Sequence, residues 1–152
     1  MSGVRLTPKQ VLDLIPQQDP FRFIDDIIEL DDDHIVGTYR FRPEADFYRG
    51  HFPGNPVTPG VILIESLAQV GIVALGIYLL AQESEADTSK VTTLFTDTDV
   101  EFTGIVSPGD RVTVTAEKVF FRRRKLRSKA EMKLDDGTLV CSGTVSGMGI
   151  FR

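Results

Sequence analysis

One long hydrophobic run dominates the pattern of the chain. The run VILIESLAQVGIVALGIYLL, residues 61–80, contains only Glu65, Ser66 and Gln69 as strongly polar residues. Its length suits either a membrane span or a buried core helix. A carboxylate in a lone membrane span costs a large free energy, and the strands predicted elsewhere need an element to wrap around. We therefore predict a core helix over Val61–Leu80 and no membrane insertion.

The last third of the chain alternates hydrophobic and polar residues, as strands do. Turn-forming residues interrupt the alternation at Ser107–Asp110, at an Arg122-Arg123 corner and at Asp135–Gly137. Asp136-Gly137 is a strong hairpin signal because glycine readily takes the positive φ of a tight turn. A polar surface loop is expected over Gln82–Ser89. The pattern predicts four strands: Val91–Phe102, Arg111–Phe121, Arg124–Leu134 and Thr138–Phe151.

The first third is punctuated by prolines. Thr7 is a helix-capping residue and Pro8 suits a first helical position, which predicts a short helix over Lys9–Ile15. Aromatic and β-branched residues over Phe21–Leu30, followed by alternation over His34–Arg42, predict a hairpin. The segment 43–59 carries four prolines and two glycines, so we expect a structured loop without a regular element.

The order of these elements is a short helix, a hairpin, a long loop, one apolar helix and four strands. Segregated strands and helices indicate α+β packing, here an antiparallel β-sheet wrapped around one long central helix. The length of 152 residues fits a single domain over 1–152. Gly71 and Gly76 each cost about 1 kcal/mol inside a helix, which predicts close packing of the helix against neighbouring backbone at those positions.

Composition narrows the function classes. With 17 basic and 22 acidic residues, the net charge is −5, which disfavours broad electrostatic binding to nucleic acid. The single cysteine, Cys141, excludes an internal disulfide framework and multi-cysteine zinc sites. Only two histidines, His34 and His51, are available for a histidine-rich metal site. Because no secretory signal is visible, we expect a cytoplasmic protein.

Candidate chemistry centres on His51 and Glu65. His51 lies in the proline-stiffened loop, which orients an imidazole at little entropic cost. Glu65 has mostly apolar neighbours, so its pKa should be raised and its carboxyl partly protonated. The free N–H groups of Gly60 and Val61 at the helix start would polarise a substrate carbonyl. The alternatives are a structural histidine and a glutamate that only complements the helix dipole.

The segment GHFPGNPVTPGVILIESLAQ, residues 50–69, resembles the signature of the bacterial β-hydroxyacyl-acyl carrier protein dehydratases of the hotdog superfamily. The likeness extends to Pro20–Asp25 before it and to Phe102 and Ser107–Asp110 after it, so it covers most of the chain. The signature is long and specific. The resemblance implies a hotdog fold, an obligate homodimer with two sites across its interface, and often a trimer of dimers.

The resemblance also implies an activity, namely reversible removal of water from a (3R)-3-hydroxyacyl thioester to give the trans-2-enoyl thioester. It assigns His51 as catalytic base and Glu65 as catalytic acid. Gly60 would bind the thioester carbonyl, with Val57 and Phe52 as further substrate-binding residues, the Val57 carbonyl holding the imidazole. No metal or redox cofactor is implied. The substrate is carried on the phosphopantetheine of acyl carrier protein.

Several departures leave the pathway open. Gln17-Gln18 stands where many members have a histidine and a basic residue, and Thr58 replaces a commoner methionine. The acidic segment 96–99 is also unusual for the family. Fatty acid synthesis and a specialised polyketide-like or aryl polyene pathway both remain open. The related dehydratase that also isomerises the double bond typically carries aspartate at the acid position, so Glu65 favours the branch that only dehydrates.

Two other functions compete with dehydration. A hotdog acyl thioesterase would use a carboxylate as base or nucleophile, without the His-Phe-Pro-Gly loop. A hotdog module that only binds acyl chains or partners should lack His51 or Glu65, and this chain has both.

A basic cluster bears on partners. Residues 122–129 hold six basic side chains in eight positions on a negatively charged chain. Arg122, Arg123, Arg124 and Lys125 are candidates for docking the acidic acyl carrier protein by charge steering. The alternative is a solvated corner. No nucleic-acid-binding module accompanies the cluster.

Overall fold

The computed structural model describes residues 3–83 and 90–151. The expected surface loop over Gln82–Ser89 lies outside the described residues from position 84 onward. Two helices, one 3₁₀ turn and six strands make up the described fold. They are α1 (Pro8–Leu14), β1 (Asp26–Leu30), β2 (His34–Arg40), the 3₁₀ turn (Asp46–Arg49), α2 (Gly60–Ala81), β3 (Val91–Phe102), β4 (Arg111–Arg122), β5 (Lys125–Leu134) and β6 (Leu139–Phe151).

All six strands form one antiparallel sheet in the order β1-β2-β4-β5-β6-β3. The middle of α2 contacts β2, β4, β5 and β6. Apolar side chains of the helix and sheet make one core, which includes Leu67, Val73, Leu75, Val112, Val114, Leu126, Met132, Val140 and Val145. The predicted α+β arrangement, a sheet around one central helix, is confirmed.

The predicted core helix is confirmed and is slightly longer than expected. By length and mean hydropathy α2 could cross a membrane, but 67% of its most apolar window is buried inside the molecule. Burial against the sheet accounts for the hydrophobic run without a bilayer. Within α2, residues Gln69–Ala74 take the wider π-helical geometry, and the Ser128 hydroxyl donates to the Gly71 carbonyl there at 2.7 Å.

The two glycines of α2 have different explanations. A Cβ at Gly71 would lie 3.1 Å from the Cβ of Ala116, so α2 does pack closely there, but against side chains and not against backbone as expected. At Gly76 the nearest atom would be Cδ2 of Leu126 at 3.7 Å, an ordinary contact distance. The expectation of close packing is therefore wrong at Gly76.

The first predicted strand begins later than expected. The backbone N–H of Phe23 donates to the Gln69 side chain at 2.7 Å, and its carbonyl accepts from the Ser66 hydroxyl at 2.8 Å. Because these helix side chains satisfy the Phe23 backbone, sheet pairing in β1 begins only at Asp26, opposite Thr38. The hairpin itself is confirmed, with β2 ending at Arg40.

Three other local predictions can be compared with the structure. Thr7 caps α1 in a reciprocal pair with Gln10, as expected from the cap signal. The proline-rich loop contains one 3₁₀ turn, so the expectation of no regular element is wrong there. The β4–β5 turn is centred on Arg123 and Arg124, with φ of 52° and 63°, one residue later than the predicted corner.

The four C-terminal strands agree with their predicted positions, and Gly137 has the positive φ expected of its turn, 90°. β3 forms an open edge of the sheet, next to β6 only. Its exposed side chains include Leu94, Phe95 and Phe102. An edge strand with exposed apolar side chains is a surface suited to pairing with another chain.

Candidate active site

The loop that carries His51 is held by hydrogen bonds on both sides. The His51 N–H donates to the Phe47 carbonyl at 3.1 Å, across the end of the 3₁₀ turn. Farther along, the hydroxyls of Tyr48 and Thr58 lie 2.6 Å apart in a buried pair. The Thr58 N–H donates to the Val106 carbonyl at 2.9 Å. Thr58, which departs from the commoner methionine, therefore ties the loop to the 3₁₀ turn.

The His51 side chain has a defined orientation. Its Nδ1 lies 2.8 Å from the Val57 carbonyl, while the Val57 N–H donates to the His51 carbonyl at 2.9 Å. A carbonyl only accepts, so Nδ1 carries a proton, and in the neutral imidazole the lone pair is then on Nε2. The Phe52 ring stacks on the imidazole with centroids 4.1 Å apart. The peptide bond between His51 and Phe52 is cis. This arrangement leaves Nε2 available as a base.

The start of α2 offers two unpaired donors. Among the described residues, no backbone carbonyl accepts a hydrogen bond from the N–H of Gly60 or Val61. The Phe102 ring covers Gly60, and a Cβ there would lie 3.1 Å from the ring edge. Free N–H groups at a helix start stabilise negative charge on an oxygen. Because Gly60 has no side chain, the Phe102 ring can lie directly against the start of α2.

Glu65 lies one turn further along α2. Burial raises the pKa of the Glu65 carboxyl, and a hydrogen bond from Gln69 partly offsets that rise. The predicted direction of the pKa shift is confirmed. Such a carboxyl remains protonated at a higher pH than an exposed glutamate, so it can act as an acid nearer neutral pH.

Gln69 determines which oxygen of Glu65 is available. The Gln69 Oε1 accepts from the Phe23 N–H at 2.7 Å, which assigns the amide orientation. Its Nε2 donates to the Phe21 carbonyl and to Glu65 Oε2, both at 2.9 Å. Because Oε2 accepts this bond, the acidic proton of Glu65 belongs on Oε1. Gln69 is not among the predicted site residues, although its place four residues after Glu65, on the same helical face, was a usable signal.

Glu65 opens onto a cavity of about 290 Å³, which we call the Glu65 cavity. Apolar side chains dominate its wall, which is formed by Gln17, Phe21, Glu65, Ala68, Ile72, Val73, Thr93, Leu94, Phe95 and Ser146. Gln17 Oε1 is buried there without a hydrogen-bond partner among the described residues. His51, Val57, Phe52 and Gly60 are not among these lining residues. One chain therefore does not bring His51 to the cavity that Glu65 lines.

The basic cluster lies at the β4–β5 turn. Arg122, Arg123 and Arg124 are exposed, and the Arg122 guanidinium stacks over the Phe120 ring at 4.4 Å. Lys125 is half-buried and its Nζ lies 3.9 Å from Asp97, which also binds Arg127 at 2.8 Å. Asp97 thus neutralises part of the cluster on β5, while the three arginine side chains at the turn are exposed to solvent.

No group of three or more His, Cys, Asp or Glu side chains in residues 3–83 and 90–151 is arranged to hold a metal ion. The candidate site consists of side chains and backbone N–H groups of the protein itself.

Comparisons with known proteins identify the family of the chain. Residues 15–144 match the FabA-like domain family. The chain is 35% identical over 136 residues to the 3-hydroxyacyl-(acyl-carrier-protein) dehydratase FabZ of Caldicellulosiruptor bescii, covering 88% of this chain and 91% of that one. It is 34% identical to the enzyme of the same name from Streptococcus uberis, over 91% of this chain and 94% of the relative.

Solved structures share the fold at low sequence identity. A dehydratase heterocomplex from Xenorhabdus doucetiae superimposes with a TM-score of 0.72 at 15% identity, covering 97% of this chain and 94% of that one. A thioesterase from Haemophilus influenzae gives 0.68 at 17% identity, covering 99% and 94%. These likenesses show the hotdog fold, and the sequence matches show that the chain belongs to the FabA-like family of 3-hydroxyacyl-acyl-carrier-protein dehydratases.

Proposed function

We propose that the protein is a hydro-lyase that reversibly dehydrates (3R)-3-hydroxyacyl-acyl-carrier-protein to the trans-2-enoyl form in fatty acid or related lipid biosynthesis. The observation that carries the proposal is the pairing of His51 with Val57. This contact selects the tautomer in which Nε2 is the base, within the segment through which the chain resembles this family. The relatives that match most of the chain bear the name of this activity.

The chemistry uses two proton transfers. Nε2 of His51 removes a proton from C2 of the thioester, and the electron pair moves towards the carbonyl oxygen as an enolate. The Gly60 N–H and the start of α2 stabilise that negative charge. The enolate then expels the C3 hydroxyl as water, with Glu65 Oε1 supplying the proton. Hydration is the reverse, and no metal or redox cofactor takes part.

We propose that the active site is completed in a homodimer, which assembles further as a trimer of dimers in many members of the family. Two observations support a second copy. His51 does not line the Glu65 cavity of its own chain. The edge strand β3, which exposes Leu94, Phe95 and Phe102, has no pairing partner on its outer side among the described residues. Pairing of two β3 edges would remove both edges and allow the His51 loop of one subunit to approach Glu65 of the other.

We also propose that the exposed arginines of the β4–β5 turn dock acyl carrier protein, and that residues 1–152 act as one cytoplasmic domain. An acidic carrier protein and a basic turn attract each other at long range, which raises the association rate. Phosphopantetheine would then deliver the acyl chain to the Glu65 cavity, with Val57 and Phe52 beside His51 at the reacting end.

Mass spectrometry of the products tests the activity. Incubation with (3R)-3-hydroxybutyryl-acyl-carrier-protein should give a carrier-bound product lighter by one water. Release of free 3-hydroxy acid would instead indicate a thioesterase, and unchanged substrate would contradict both enzymes. The His51→Ala variant, made and assayed in parallel, is the control for background elimination.

A further inference from the structure

The side chain of Ile72 separates the Glu65 cavity from a second cavity in the same chain. The second cavity has a volume of about 20 Å³, the size of roughly one water molecule. The two cavities share Ile72 and Thr93 in their walls. The wall of the second cavity also includes Gly76 of α2 and Arg124 of the β4–β5 turn.

Ile72 is held firmly in this position. It is 3% exposed and packs against Gly147 of β6, where a Cβ would come within 2.6 Å of the Ile72 Cγ2 atom. The Thr93 methyl group would lie 3.2 Å from the same Cβ. Gly147 thus makes room for Ile72, and the tight fit leaves Ile72 little freedom to move aside.

Gly76 supports a role for the space behind Ile72. A glycine inside a helix is unfavourable, and no close neighbour requires one here, because the nearest atom to a Cβ would be 3.7 Å away. Gly76 does line the second cavity. The missing side chain therefore keeps this space open, whereas any larger residue would fill it.

We propose that Ile72 is the stop for the acyl chain of the substrate and so sets the maximum chain length. The inference rests on the proposed function, since it takes the Glu65 cavity as the place where the acyl chain lies. Ile72 is seven residues after Glu65, about 10 Å along the helix. From Ile72 to Gly76 is a further 6 Å or so along the helix, a length that about four more carbons span once the Ile72 side chain is removed.

The test measures the longest acyl chain that the protein binds and the longest that it turns over. Saturated acyl-pantetheine thioesters of increasing length are titrated into the wild type and into Ile72→Ala, and the 3-hydroxyacyl-carrier series is assayed in parallel. Removing the Ile72 side chain should extend the longest chain bound by about four carbons and tighten binding of those chains at least tenfold. Adding Gly76→Val to Ile72→Ala should cancel the gain, because valine refills the second cavity.

Val70→Ala is the matched control. Val70 lies in the same segment of α2, is 1% exposed and packs against Gly37 in β2, away from both cavities. The Val70→Ala variant should be less stable than the wild type, and the longest acyl chain that it binds should be unchanged. An unchanged limit in Ile72→Ala, an equal shift in Val70→Ala, or a gain that survives Gly76→Val would overturn the inference.

The binding series keeps the two proposals separate. Suppose that the wild type binds acyl thioesters up to a limiting length, and that Ile72→Ala extends this length, but that neither dehydrates hydroxyacyl substrates. The proposed function then fails and the Ile72 stop stands. If the wild type dehydrates these substrates and Ile72→Ala leaves the limit unchanged, the stop fails alone.

Discussion

Gln69 Nε2 donates a hydrogen bond to Glu65 Oε2 at 2.9 Å, while the Gln69 Oε1 accepts one from the Phe23 backbone at 2.7 Å. The bond to Phe23 fixes the orientation of the amide. Gln69 therefore directs its NH2 group towards Glu65 and is the donor in the bond between them. One buried glutamine therefore connects the segment before β1 to the candidate acid and assigns the acidic proton to Glu65 Oε1.

Replacing Gln69 with leucine should affect both stability and pH dependence. The variant leaves the buried Phe23 N–H without a partner, which should cost about 1–3 kcal/mol in urea unfolding. The Gln69 hydrogen bond lowers the pKa of Glu65, so its loss should move the alkaline limb of the pH–rate profile upward. Gln18→Leu, which removes one bond to the Ile15 carbonyl near the surface, is the control. A limb that stays in place would contradict the assignment.

Glu65→Gln should remove most of the activity, since an amide cannot supply the acidic proton. It should also change how stability depends on pH. Burial raises the pKa of Glu65 in the folded chain, so the fold retains this proton to a higher pH than the unfolded chain does. Stability is then greatest below the ordinary carboxyl pKa and falls as the pH rises through the raised value. Urea unfolding across this range should show the fall in the wild type and its absence in Glu65→Gln. Survival of the rate with only a moved pH optimum would reassign Glu65.

The buried hydroxyl pair of Tyr48 and Thr58 should stabilise the His51 loop. Tyr48→Phe, Thr58→Val and the double variant form a cycle in which the coupling free energy should be about 1 kcal/mol. Urea unfolding measures it, with circular dichroism as a check on the fold. Strictly additive losses would mean that the hydroxyls contribute independently.

Mixing inactive variants tests whether the site is shared. His51→Ala and Glu65→Ala subunits, unfolded and refolded together, should pair at random, so that about half of the dimers are mixed. If each site takes one residue from each subunit, a mixed dimer keeps one intact site of two. About a quarter of wild-type activity should therefore return. No recovery, with mixed dimers shown by mass spectrometry, would mean that each subunit supplies both residues to its own site.

Charge reversal at the β4–β5 turn tests docking. Aspartate is the suitable replacement at Arg123 and Arg124, because it tolerates the positive φ of this turn better than glutamate. With Arg122→Glu added, the Michaelis constant for carrier-bound substrate should rise about tenfold or more at low salt, and less as salt screens the charges. Short thioester analogues should be unaffected.

The control for docking is Lys133→Glu, near the far end of β5, where Lys133 pairs with Glu131 at 3.3 Å. It should leave both substrate types unchanged. Equal losses on carrier-bound and short substrates in the turn variant would point to a damaged fold.

The sequence by itself determined the elements whose signals are local. The cap at Thr7, the long apolar helix and the strand from Val91 to Phe102 follow from periodicity and capping, which depend on neighbours a few residues away. The segment 50–69 also pointed to the family, because it resembles a long and specific family signature.

The tertiary structure decided what depends on residues distant in sequence. The start of β1 is set by Gln69, which is 46 positions from Phe23 and takes its backbone N–H. The turn at Arg123-Arg124 carries no glycine or asparagine signal. The sequence therefore placed it one residue early, and the pairing of Arg122 with Lys125 gives its position. The orientation of Glu65 and the barrier at Ile72 likewise come from contacts between α2 and other segments. Packing of this kind depends on three-dimensional neighbours within a few ångströms, and a one-dimensional pattern does not encode those distances.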